Sequence, residues 1–354
     1  MRLASSRAEL DDDVEAVSAW FHERGHTDGL PIVPPTERRV RAMLAGTART
    51  PDASLGVVAP TGHACTVEKL AINAVMAGCR PDYMPVLVAA IEAMTQPQWM
   101  LGSMQSTTNP LTPMLIVNGP VRTRLGIHGG AGAMGPGWRA NATIGRAIRL
   151  VLLNVGGAVP GDVDKCTQGF VGKYGLCVAE NEEESPWPPL HVARGFEPSD
   201  DVVTVVGVNA STNVHDSSDR WEDLIKTLTA SLVSPGTANV VDPHSTPVLA
   251  VNPLHARILA EAGFTRERLQ RHVFEHCRIR PEDLSGRRTV LRVGEHGLEH
   301  FAVDGMIPFT NRPELTQVVV LGSLAGGHSC YLPNGHFGHA ASRRIDAAPP
   351  RIEP

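Results

Sequence analysis

No run of apolar residues in this chain approaches the ~20 needed to cross a bilayer, so no membrane-spanning helix is expected. The opening stretch MRLASSRAELDDDVEAV holds no apolar segment and turns acidic at once, and no secretory signal is expected from it. No CxxC pair joins the six cysteines Cys65, Cys79, Cys166, Cys177, Cys277 and Cys330. They read as free thiols, which fits a cytoplasmic location. No basic cluster stands out: net charge is −5 and the basic residues are dispersed, which argues against nucleic acid as the partner. HExxH is missing although there are fifteen histidines. His336 and His339 form an HxxH in a glycine-rich segment, and His272 and His276 share a helical face without the glutamate of a metalloprotease. No metal ligand and no cofactor is therefore assigned. Neither a Walker pattern nor a clean GxGxxG is found, so a bound anion need not be a nucleotide.

What the chain does have is one glycine-rich stretch, Gly126 to Gly157. Gly126, Gly129, Gly130, Gly132, Gly135 and Gly137 fall within twelve residues, and Pro136-Gly137 leads into a helical pattern. Ile144, Ala147, Ile148, Val151 and Leu152 recur at helical spacing, and Gly156-Gly157 ends the helix. The strand-like Met114 to Val117 precedes the loop. Strand, glycine loop and helix in this order present helix N–H groups to an anion. Arg139, Asn141, Thr143 and Arg146 add donors in the first turns, with Gly130, Gly132 and Gly137 as the backbone cradle. Glycines also serve tight turns and close packing, which is the plainer reading of such a loop.

Further along, the segment 97–112 is polar and reads as a loop near a site. Residues 158–200 show little periodicity, and long irregular segments in compact domains are often functional. Beyond about 200, strands at 202–208, 247–251, 289–293, 299–303 and 317–321 alternate with helices at 218–232, 253–262 and 266–278. This alternation predicts a parallel sheet. The expected fold is α/β, with an α-rich N-terminal domain over 1–195 and a C-terminal doubly wound parallel-sheet domain over 200–345. The chain from about 342 is expected to be poorly ordered, with 346–354 a flexible tail. In an open α/β sheet, ligands bind at the carboxyl ends of strands. Three such ends carry polar groups: Asn209 to Thr212, Asn252 with His255, and Ser323 to Cys330.

Two thiols have the surroundings of a nucleophile. Cys65 stands just before a predicted helix beside His63, and Cys330 follows His328 and two glycines. The run Glu180 to Glu184, framed by Cys177 and Trp187, holds carboxylates that suit a general base, a metal ligand or an arginine partner, with Glu180, Glu182 and Glu183 as the candidates and Glu180 and Glu182 as the expected catalytic ones. Each also has a bland reading, as a buried thiol or a solvated acidic face.

The stretches DGLPIVPPT, TVEKLAINAVMAGC, GPGWRANATIGRAIRL, NVGGA, GKYGLCVAENEEESPW and NPLHARILAEAG together resemble a family of bacterial proteins, mostly without assigned function, grouped with the UGSC-motif (seleno)proteins. The resemblance covers about 28–330. It implies an enzyme-like core in Asp28, Thr66, Glu68, Lys69, Asn73, Arg139, Asn141, Thr143, Arg146, Glu180, Asn181 and Glu182, and it implies thiol or selenol redox chemistry. The chain departs from the family in having no Cys-Gly-Ser-Cys motif; the nearest is His328-Ser329-Cys330.

The expectation is an enzyme acting on a small anionic metabolite, where the glycine loop meets the C-terminal strand ends. Gly130, Gly132, Gly137, Arg139, Asn141, Thr143, Arg146 and His255 would bind the substrate. Cys65 with His63, or Cys330 with His328, would supply a thiol nucleophile or redox group, and Glu180 or Glu182 the base. A metal-dependent lyase or hydrolase using His and Glu ligands, and a non-catalytic small-anion binder, are the alternatives. Homo-oligomerisation is left open.

Overall fold

The computed structural model describes residues 3–237, 239, 244–284, 302–335 and 338–347. The expected strand at 289–293 lies outside them, as does most of that at 299–303. Helices α1 (Val14–Glu23) and α2 (Glu37–Leu44) precede a hairpin of β1 (Ser54–Val58) and β2 (His63–Thr66). Helices α3 (Val67–Ala77), α4 (Met84–Met94) and α5 (Leu101–Ser106) lead to β3 (Thr112–Asn118) and the short α6 (Val121–Leu125). The glycine loop then enters α7 (Arg139–Asn154), followed by β4 (Cys177–Ala179) and α8 (Leu190–Ala193). Strands β5 (Val202–Val208) and β6 (Thr212–His215), helix α9 (Trp221–Leu232) and β7 (Val248–Val251) come next. Helices α10 (Pro253–Glu261) and α11 (Arg266–His276) follow, with β8 (Arg278–Ile279), β9 (Ile307–Pro308), β10 (Gln317–Val320), β11 (His328–Leu332) and β12 (Ala341–Arg344).

Two four-stranded mixed sheets hold the molecule together. The first runs β12-β5-β3-β4 and the second β10-β7-β11-β6. Each has one parallel pair, β3 with β4 and β7 with β10; the other neighbours are antiparallel. The α/β character expected from the sequence is present, but the pairing is mixed where a parallel sheet was expected. The reason lies in β6, β11 and β12, short strands that pair antiparallel with partners far along the chain. Strands β5 and β12, from the second half, complete the sheet founded by β3.

Alternation along the strands assigns the layers, because successive side chains point to opposite faces. Met114, Ile116, Val206 and Val208 of the first sheet share one apolar cluster with Val248, Ala250, Val319 and Leu332 of the second. On the outer face of the first sheet, Leu115, Val117, Val203 and Val205 pack with α3, α4 and α7. On the outer face of the second, Leu249, Val251, Val318 and Val320 pack with α9, α10 and α11. The order is helices, sheet, sheet, helices.

Local signals explain the flanking helices. Asn252 caps α10 by accepting the His255 N–H, with Pro253 in the first turn, as the sequence predicts. Gly145 lies inside α7, where a Cβ would come 2.5 Å from the Leu176 backbone nitrogen. Its missing side chain lets residues 175–176 lie directly on the helix.

Two local expectations are corrected. Residues 97–112 are not a polar loop: they include α5, and Trp99, Leu101 and Met104 are buried. The chain beyond 342 is not loose through 344, because β12 pairs with β5 from Ala341↔Val205 to Arg344↔Val202. No helix among the described residues is long and apolar enough to cross a membrane.

Candidate functional site

The glycine loop does reach the end of the second sheet. Gly322, just beyond β10, donates its N–H to the Gly129 carbonyl at 2.9 Å. Ala179 at the end of β4 donates to the His128 carbonyl at 3.1 Å. Asn181 joins the two sides: its N–H bonds the Val320 carbonyl and its Nδ2 the Gly322 carbonyl, each at 2.9 Å. Gly129 is required here, since a Cβ would come 2.5 Å from the Ala179 carbonyl oxygen and 2.9 Å from the Asn181 nitrogen.

Beside this junction opens a cleft of about 350 Å³, at the small end of the ~300–1,000 Å³ typical of ligand sites. Its walls include Arg122, Gly126, His128, Gly129, Gly130, Trp138, Asn181 and Glu183. Asn141, buried at the start of α7, fixes the loop: it accepts the His128 N–H at 2.8 Å and donates to the carbonyls of His128 and Ala133 at 2.9 and 3.0 Å. The His128 ring stacks on Trp138, with centroids 3.6 Å apart and planes 19° from parallel. Its Nε2 lies 3.1 Å from the Ala131 carbonyl oxygen. A carbonyl only accepts, so Nε2 carries the hydrogen, and in the neutral ring Nδ1 holds the lone pair. No described residue bonds to that Nδ1. No described residue accepts the N–H groups of Gly129 or Gly130 either.

The acidic run is tied down rather than free. Glu180 is fully buried and accepts from Asn118 Nδ2 (2.7 Å), the Leu190 N–H (2.6 Å) and Arg266 Nη2 (2.9 Å). Glu182 accepts from Asn118 Nδ2, the Gly119 N–H and Arg122. Arg122 also grips Glu183 through both terminal nitrogens, and that bond holds the Glu183 carboxyl below the usual carboxylate range. Glu184 pairs with Arg257. Neither Glu180 nor Glu182 is thus free to act as the expected base: each has its lone pairs committed to structural donors.

The predicted anion cradle is divided between two places. Asn141 and Gly130 belong to the cleft region, while Gly132 and Gly137 are exposed on the outer part of the loop. Arg139, Thr143 and Arg146 face the opposite side of α7. Arg139 donates to the Gly78 carbonyl at 3.1 Å, and Thr143 Oγ1 to the Arg139 carbonyl at 2.8 Å. Arg146 clasps both carboxylate oxygens of Asp28 at 2.7 and 2.8 Å, and also the carbonyls of Leu30 and Pro31. Arg146 staples the extended entry segment to α7, Arg139 ties α7 to the end of α3 and Thr143 bonds back within its own helix; none of the three lines the cleft.

His255 is fully buried with both ring nitrogens engaged, Nδ1 with Ser329 Oγ at 2.8 Å and Nε2 with the Asp216 carbonyl at 3.0 Å. It ties α10 to β11 and has no open face for a substrate.

The two candidate thiols do not have the environment expected of them. Cys65 is completely buried on β2, and burial pushes its thiol up to about 12, outweighing Lys69. His63 on the same strand is exposed, and no hydrogen bond joins the two. Cys330 is half-buried on β11, where burial pushes it up to about 11 against a backbone hydrogen bond. His328 is exposed, stacks on His215 at 4.5 Å and bonds Asn213. Burial also raises Cys79 and Cys277 to about 12 and lifts Cys177 further. A helix N-terminus is a local cue for a thiolate, and complete desolvation overrides it. Among the described residues no three His, Cys, Asp or Glu side chains stand together as a metal ligand set. His272 and His276 stack on each other along α11, and His336 lies outside the described residues.

Sequence reasoning passed over His128 and Arg122. His128 is the only histidine within the glycine run, and Trp138 ends that run ten residues later. Arg122 carries no sequence signal, because its partners lie about sixty residues away.

No family model, curated protein or solved structure matches the chain.

Proposed function

We propose that the cleft beside Gly129 and Gly130 is the active site of an enzyme acting on a small polar metabolite, with His128 as general base. The observation that carries this reading is the His128 ring in the cleft wall. Its Nε2–H is fixed on the Ala131 carbonyl and its plane is fixed by Trp138, which leaves Nδ1 as the acceptor. Orientation by a second group is what general-base histidines require. The Gly129 and Gly130 N–H groups suit an oxygen on which negative charge develops. Two carboxylates, Glu180 and Glu183, line the cleft against the single arginine Arg122, which disfavours a highly charged anion such as a phosphate ester. The substrate class is then a small carbonyl or carboxylate compound with a removable proton, and the reaction class is proton abstraction next to a carbonyl. The expected thiol chemistry at Cys65 or Cys330 has no support in the cleft. The reading rests on this geometry and not on the resemblance to the UGSC-related family.

The test is exchange of carbon-bound hydrogen in deuterium oxide, followed by nuclear magnetic resonance on a panel of small 2-oxo acids beginning with pyruvate. Wild-type protein should catalyse exchange on at least one of them. His128→Gln, with unchanged circular dichroism, should lower the rate by ~10²–10⁴, the usual worth of a positioned acid or base. Exchange that survives the substitution would remove His128 from the mechanism. Binding without exchange would favour a non-catalytic binder.

A further inference from the structure

Arg122 and Glu183 both border the cleft that holds His128. The guanidinium meets the Glu183 carboxylate fork to fork, Nη1 with Oε2 at 3.1 Å and Nη2 with Oε1 at 3.0 Å. Arginine takes a ligand carboxylate in the same geometry. The rest of the guanidinium is held by the fold. Its Nε donates to the Gly119 carbonyl at 3.1 Å, Nη1 to the Glu180 carbonyl at 3.1 Å and Nη2 to Glu182 Oε2 at 3.0 Å. Each terminal nitrogen carries two hydrogens, so one of each is fixed by the fold and the other is given to Glu183.

The two glutamates that share Arg122 are held very differently. Glu182 has 14% of its side chain exposed and also accepts from Asn118 Nδ2 and the Gly119 N–H. Glu183 is 64% exposed. An exposed ion pair is worth little, because water takes the carboxylate back at small cost. Glu183 is therefore free to leave for solvent while Glu182 and the two carbonyls keep the guanidinium in place. We propose that the two N–H groups Arg122 gives to Glu183 are the seat of the substrate's carboxylate, with Glu183 as an internal stand-in that the substrate displaces. This rests on the reading of the cleft as the site of a small carboxylate compound, and it adds where that carboxylate lies. The exchange is charge for charge. A monocarboxylate replaces Glu183 evenly, whereas a phosphate ester dianion brings a surplus negative charge beside Glu182.

The test is calorimetric titration of the full chain with pyruvate, and with pyruvamide as its uncharged counterpart. Wild-type protein should prefer pyruvate. Glu183→Ala removes the stand-in and should tighten pyruvate about fivefold, the upper worth of an exposed ion pair, while leaving pyruvamide unchanged. Arg122→Lys keeps the charge but loses the fork, and should weaken pyruvate about tenfold. If that variant fails to fold, the Glu183→Ala comparison decides alone. Pyruvate bound no more tightly by Glu183→Ala, or by neither protein, would overturn the seat. Tightening of pyruvamide by the same factor would overturn it too, since the gain would then come from opened space. Binding is read apart from turnover, so the two ideas fail separately. Tightened pyruvate without hydrogen exchange keeps the seat and removes His128 as base. Exchange with equal affinity for acid and amide keeps His128 and removes Arg122.

Discussion

Arg266 and Glu180 form an ion pair, 2.9 Å from Nη2 to Oε1, with 2% and 0% of their side chains exposed. Glu180 follows β4 of the first sheet and Arg266 opens α11 on the far side of the second, so the pair spans the two halves of the molecule. A carboxylate in that position is a fastener. Removing one member of a buried pair leaves the other charge uncompensated and costs ~3–5 kcal/mol. Arg266→Met is therefore expected to lower the urea midpoint by a corresponding amount without changing the slope. An unchanged midpoint would show that Asn118 and the Leu190 amide hold the carboxylate on their own.

Arg146 and Asp28 make a second fastener, between α7 and the entry segment 118 residues earlier. Arg146→Ala and Asp28→Asn are each expected to cost ~1.5–3 kcal/mol, the range for hydrogen bonds to charged groups. The double variant should cost clearly less than the sum, since both changes break one contact. Additive losses in a denaturation cycle would refute the pairing and return Arg146 to the list of ligand-binding candidates.

The His255 ring gives the stability a definite acid limb. Burial lowers its pKa from the ordinary 6.5, against the Asp216 contacts that raise it. Below 6.5 the unfolded ring takes a proton before the folded ring does. The contribution is thus fully present above that pH and is lost as pH falls through the folded value. Wild-type stability should decline on acidification, with this group adding up to ~1.4 kcal/mol per pH unit within the window. His255→Gln should flatten that part of the curve, read from denaturant midpoints taken downward from neutral pH. Parallel curves for the two proteins would mean that His255 does not titrate with folding.

What the sequence disclosed and what it withheld follow from the range of the forces involved. Strands β3 and β5, helix α7 and the Asn252 cap of α10 are written in periodicity and in neighbouring residues. Strands β6, β11 and β12 are short, and only partners far along the chain make them strands; β12 pairs with β5 across more than a hundred residues. The same limit governed the site. The glycine loop and its meeting with the end of β10 were legible because glycine density and strand ends are local signals. Arg146 looked like an anion ligand because Asp28, which occupies it, is remote in sequence. Cys65 looked activated because a helix start is visible locally and total burial is not. The role argued for His128 depends on which nitrogen faces the Ala131 carbonyl, and no residue pattern encodes that.

The pairing of β12 with β5 has a consequence for how the chain is made. During synthesis β3, β4 and β5 leave the ribosome well before residues 341–344. Until those residues arrive, β5 presents an open row of amides and carbonyls. The nascent first sheet therefore waits, part-built, for a segment translated more than a hundred residues after β5, and a chaperone that shields a strand edge has its natural moment there. Ribosome stalling upstream of codon 341 would capture that species, and a β5-directed crosslinker would find its target open in the stalled chain and closed in the finished one.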